Sequence, residues 1–166
     1  MSNIDETPLV DLILAEQLQY TNAETAERAG LTLEQATRLW RNLGFPDPGD
    51  ETAFGEADVT AAAVVALAVE HQILDEGTVF RLTRALGQTM SRLADWQVSI
   101  LVDQLEVDIE RGKSNSRAGA ALELAATAVP GFERLMVHVW RRHLAAAASR
   151  VTALGEKEQA LLSTAM

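Results

Sequence analysis

YTNAETAERAGLTLEQATRLWRNLGFPDP, residues 20–48, sets the fold class. Thr21 with Glu24 three positions on is a capping box, in which side chain and backbone satisfy each other's orphan amides. Gly30 supplies a left-handed helix stop, and Thr32 with Gln35 makes a second box. The spacing predicts two short helices joined by a tight turn, the second over 33–42 and closed at Gly44. Pro46, Asp47, Pro48, Gly49 and Asp50 then form the one obvious loop of the N-terminal half.

On either side the apolar period stays helical, and no convincing strand is found. A modest amphipathic helix is expected over 8–19, with Leu9, Leu12, Ile13 and Leu18 toward a core. Residues 58–74 are apolar on nearly every face and predict a central buried helix, interrupted at Gly77. A long helix is expected over 78–111, with Val79, Leu82, Leu86, Met90, Leu93, Gln97, Ile100 and Leu105 at successive three or four spacings. At 1.5 Å per residue it exceeds ~45 Å. A polar break over 112–116 precedes a short alanine-rich helix over 118–129, and Pro130 is placed to open the last helix. There Val137, Trp140, Leu144, Ala147, Val151 and Leu154 keep a heptad spacing that hints at pairing between two chains. Met90, Trp96, Met136 and Trp140 are expected as core or dimer contacts. The fold class is all-α: a dimeric multi-helix domain over 1–155, followed by a linker over 156–166.

With 166 residues and 48% hydrophobic content the chain can bury a core without staples. It has no cysteine, which excludes disulfides, thiolate zinc sites, redox pairs and a cysteine nucleophile. The longest stretch without charged or strongly polar residues, 61–69, is far short of the ~20 residues a membrane span needs. The N-terminus, with Asp5, Glu6 and Asp11 and no basic region, is unlike a secretory signal, so the expected compartment is the cytoplasm. The net charge of −10 speaks against nucleic acid as the main partner. Residues 1–111 hold 7 basic and 20 acidic side chains, whereas 112–166 hold 7 and 4. That asymmetry suits a basic C-terminal piece packing on an acidic body or on a further acidic domain; a solvated surface accounts for it equally.

No catalytic residue, metal site or cofactor is indicated. His71, His138 and His143 form no metal-spaced cluster, and no phosphate-binding glycine loop or nucleophile elbow is present. Carboxylate pairs such as Asp75 and Glu76, or Asp108 and Glu110, face different directions on a helix and read as solvated charge.

Residues 20–48 resemble the winged helix-turn-helix of MerR-type transcription regulators. The reading helix 33–42 would offer Arg38 and Arg41 against Glu34, with an acidic loop after it that repels phosphates. A second resemblance covers nearly the whole chain. The helix-turn-helix, the helix after GEAD (55–58), the stretch FRLTRALGQTMSRLADWQ (80–97) and RRHLAAA (141–147) are similar to the N-terminal regulatory domain of actinobacterial class III adenylyl cyclases. That resemblance implies a homodimer that autoinhibits or releases a following catalytic domain in response to pH, and that can hold a fatty acid in an apolar cavity. The catalytic domain's phenylalanine, aspartate and glycine metal motif is absent from these residues, so 156–166 reads as the linker toward it. Residue by residue, the resemblance implies Asp58, Arg84 and His143 as switch candidates. Leu144, Ala145 and Ala146 stand where the family can have two methionines and a proline.

Each candidate also has a plainer role: Asp58 as an N-cap for the helix from Val59, Arg84 as a surface side chain, His143 as a solvated histidine beside Arg141 and Arg142. Histidine is nonetheless the side chain that normally titrates between pH 5 and 8. An acyl chain would need an apolar slot with a cation at its mouth; Arg81 or Arg84 could supply the charge, with Leu86 and Met90 as lining candidates. The regulatory reading leads, a MerR-like DNA-binding regulator is the rival, and a helical interaction protein without a small ligand is the third option.

Overall fold

The structure is a computed structural model that describes residues 7–113 and 116–164. Both capping boxes form. Thr21 Oγ1 accepts from the Glu24 amide at 3.3 Å while the Thr21 amide donates to Glu24 Oε2 at 2.8 Å, starting the helix Asn22–Ala29. Thr32 and Gln35 repeat the exchange at 3.1 and 3.0 Å and start the helix Leu33–Leu43. Gly30 and Gly44 end these helices with φ of 78° and 83°, and the amides of Leu31 and Phe45 reach back to the carbonyls of Ala26 and Trp40 at 2.9 Å.

In chain order the helices are α1 (Thr7–Leu14), α2 (Asn22–Ala29), α3 (Leu33–Leu43), α4 (Glu56–Glu70), α5 (Glu76–Glu110) and α6 (Arg117–Thr164). The fold is all-α; among the described residues the sole β feature is an isolated antiparallel bridge between Tyr20 and Phe54. The chain divides into two units, Met1–Leu122 and Glu123–Met166.

In the first unit α3 packs on α5, α2 on α4 and α3, and α4 on α5. The core gathers Ala29, Leu39, Trp40, Phe54, Ala62 and Phe80. Trp40 stacks on Phe54 with ring centroids 4.9 Å apart. Its Nε1 donates to Asn22 Oδ1 at 2.9 Å, and Asn22 Nδ2 donates to Thr37 Oγ1 at 2.9 Å. The one amide that α2 buries is thus satisfied at both ends, which fixes the α2 and α3 pair. The second unit consists of the α6 turns beyond Glu123, nearly all of whose side chains are exposed.

Four expectations are corrected. The first helix stops at Leu14, because Ala15 takes a left-handed φ of 57° and Glu16 turns toward α4; Leu12, Ile13 and Leu18 stay exposed. The apolar helix α4 is fully buried only at Ala62 and Ala66, with Ala63 and Val65 partly buried against the core, while Val64 is 64% exposed. Its break falls at 71–75, where Gln72 has φ 51° and Asp75 caps α5 through the Thr78 amide at 2.9 Å; Gly77 lies inside the first turn of α5. Pro130 does not open a helix but sits within α6, which gives up one backbone hydrogen bond there and continues to Thr164.

Gly112, with φ 69°, marks the expected polar break, of which residues 114 and 115 lie outside the described residues, as do Asp5, Glu6 and 165–166. Met90, Trp96 and Trp140 are exposed and Met136 is half-buried, so they do not belong to the core of the single chain.

Candidate functional site

The first cluster lies at the start of α4. Its N-cap is Gly55, which has no side chain to offer, so the caps come from elsewhere. Glu16, from the segment after α1, accepts the Ala57 amide through Oε2 at 3.1 Å and Oε1 at 3.2 Å. A Cβ at position 55 would meet that carboxyl group, which would have to swing aside. Asp58 stands in the first turn of α4 and accepts the Gly55 amide at 2.8 Å; the expectation that it is the N-cap is corrected by three residues. The Tyr20 hydroxyl donates to Glu56 Oε1.

Partial burial pushes the Asp58 carboxyl above its usual range; the Gly55 amide pulls it back, and the negative charge of Glu16 adds to the rise. A raised folded-state pKa means that the protonated form is favoured by folding. That contribution is present below the unfolded-state pKa and lost as pH rises through the folded-state value. Asp58→Asn, which keeps an acceptor and cannot ionise, should therefore gain stability over the parent as pH climbs from the acid side toward neutrality. Urea midpoints across pH 3–8 check this; a difference that does not change with pH counts against it.

Arg84 is exposed on α5 and lines a groove of about 570 Å³ with Arg41, Asn42, Gly44, Gly87, Gln88, Ser91 and Arg92. Leu86 and Met90 do not line it. They sit about 200° and 240° around the helix from Arg84 at 100° per residue, so Arg84 cannot head an apolar slot that those two wall. Arg81 is engaged with Thr78, donating from Nη2 to Oγ1 at 2.7 Å. No hydrogen bond or ion pair among the described residues joins Asp58 to Arg84. Arg38 lies over the Phe80 ring at 4.1 Å, which turns it inward on the helix that a MerR-like protein would present to DNA. In the second unit His143 is exposed, and so are Val137, Trp140, Leu144 and Val151, with Ala147 half-buried. No helix among the described residues is long and apolar enough to cross a membrane.

No protein-family model matches the chain. An adenylate cyclase of Streptomyces coelicolor is 37% identical over 151 residues, which span 91% of this chain and 39% of that protein. Adenylate cyclases of Streptomyces griseus and Glutamicibacter nicotianae are 36% and 31% identical over 89% and 84% of this chain. The chain is a homologue of one part of these adenylate cyclases. It spans between 34% and 39% of their length.

In this cyclase homologue, sequence reasoning picked out Asp58 and Arg84 but missed the side chains that define their surroundings. Glu16 is 41 positions from the amide it caps. Gln88, Ser91 and Arg92 follow Arg84 at four, seven and eight residues, a same-face spacing that was readable in the sequence. Arg41 joins them only through the docking of α3 on α5.

Proposed function

We propose that this chain is a non-catalytic regulatory segment, acting as a cytoplasmic homodimer, that sets the rate of cAMP synthesis by an adenylate cyclase catalytic part of the same polypeptide. The observation that carries this reading is the asymmetry of the match: nine-tenths of this chain aligns with little more than a third of the Streptomyces coelicolor cyclase. Class III catalytic centres form between two chains, as the resemblance implies, so a helical segment that pairs chains can gate them. The exposed apolar row Val137, Trp140, Leu144 and Val151 supports pairing along α6. The pH response has a side chain to support it in the half-buried Asp58 beside Glu16. The acyl chain rests on the resemblance alone.

Placed in the Streptomyces coelicolor cyclase in exchange for its matching segment, this chain should leave an active enzyme whose rate changes about 5-fold or more when the segment is deleted. Trp140→Glu with Leu144→Glu should yield monomers by light scattering and remove that control, and His143→Ala should flatten the rate against pH. Equal rates and equal pH profiles with and without the segment would end the proposal.

A further inference from the structure

We propose that the groove between the last turn of α3 and the middle of α5 binds a multiply charged phosphate anion. Residues 1–111 carry seven cations, all arginine. Four have work within the fold: Arg28 lies over the Tyr20 ring at 4.3 Å, Arg38 over Phe80 at 4.1 Å, Arg81 donates to Thr78, and Arg111 acts on the Asp108 carboxylate. The other three, Arg41, Arg84 and Arg92, make no hydrogen bond or ion pair among the described residues, and all three line this one groove.

This convergence occurs in the more acidic part of the chain, where 20 carboxylates are available as partners. None of them lines the groove. Three guanidinium groups held together without a counter-charge repel one another, and an anion that bridges them relieves that repulsion. The C-terminal end of α3 contributes only about half a negative charge, against three full positive ones.

The remaining lining fixes the chemical class. Asn42, Gln88 and Ser91 add side-chain donors, and no aromatic or aliphatic side chain is present to hold a base or an acyl chain. A groove of about 570 Å³ falls within the range of small-ligand sites, roughly 300–1,000 Å³. Guanidinium forks match phosphate oxygens two at a time. A monocarboxylate would neutralise one charge of three, whereas pyrophosphate or tripolyphosphate can meet all of them.

The test is calorimetric titration of the 166-residue chain at low ionic strength with orthophosphate, pyrophosphate, tripolyphosphate, ATP and oleate. Pyrophosphate and tripolyphosphate should bind saturably at one site per chain, roughly tenfold or more tighter than orthophosphate, and ATP no tighter than tripolyphosphate. Arg84→Gln and Arg92→Gln should each weaken binding roughly tenfold. Arg84→Lys, which keeps the charge without the fork, should fall between, and Arg150→Gln on α6 should change nothing. Unaltered helical circular dichroism shows that each variant is folded. Absence of saturable phosphate binding overturns the assignment, as does binding that Arg84→Gln leaves intact. Oleate that competes with pyrophosphate overturns it too, and so does ATP that outbinds tripolyphosphate.

Discussion

Trp40→Ala should cost about 3–5 kcal/mol, a large part of the 5–15 kcal/mol typical of a whole domain. Trp40 is 3% exposed and fills the space between α2, α3 and the returning loop, with Phe54 stacked on one side and Phe45, at 6.0 Å, nearby. Truncation leaves a void beside the Phe54 ring. It also strands Asn22 Oδ1, on a residue only 8% exposed, without the indole donor. Trp40→Phe separates the two losses: it keeps most of the ring volume and should cost about 1–3 kcal/mol, chiefly for the orphaned amide oxygen.

The measurement is urea unfolding followed by circular dichroism, because both variants remove the one buried tryptophan. Trp96 and Trp140 are 64% and 57% exposed, so the blue-shifted part of the folded emission belongs to Trp40. The melting point of Trp40→Ala, followed by circular dichroism, should fall by roughly 10 °C. A loss below about 1 kcal/mol would mean that Trp40 does not anchor the core.

What the sequence disclosed follows from the range of the interactions. Thr21 with Glu24, Thr32 with Gln35, and the glycine stops at 30 and 44 act within six residues, and each appears in the structure where its spacing places it. At α4 the local rule pointed to Asp58 as the cap, since aspartate outranks glycine there. Glu16 overrides it from a distant segment, so Gly55 can be the N-cap without a side chain. The valines of α4 read as a buried helix because composition gives no direction. Only Ala62 and Ala66 are fully buried, Ala63 and Val65 pack against the core in part, and Val64 and Leu67 are left exposed. Pro130 was read as a helix start, the position it suits best, yet α6 runs through it. The switch candidates, set by family resemblance, were placed without their neighbours, and it is the neighbours that give Arg84 a polar groove.

Gly87→Ala should destabilise the first unit by about 1–3 kcal/mol, although alanine is the better helix former by about 1 kcal/mol. A methyl group at position 87 would stand 2.5 Å from the Leu43 carbonyl oxygen and 2.6 Å from that of Asn42. Both obstacles are backbone, so no side chain can swing aside, and α3 must lift from α5 as a unit. The control is Gly131→Ala on α6, where nothing lies within 4 Å of the new methyl group and only the helix-propensity gain remains. Opposite signs in urea midpoints for two chemically identical substitutions isolate the close approach as the cause. Because Gly87 lines the groove and Arg41 rides on α3, the same displacement draws Arg41 away from Arg84 and Arg92. The glycine that lets the two helices meet therefore also sets the spacing of the three arginines. A Gly87→Ala chain as stable as its parent would show that α3 and α5 do not touch there in solution, and the three arginines would then have no common groove.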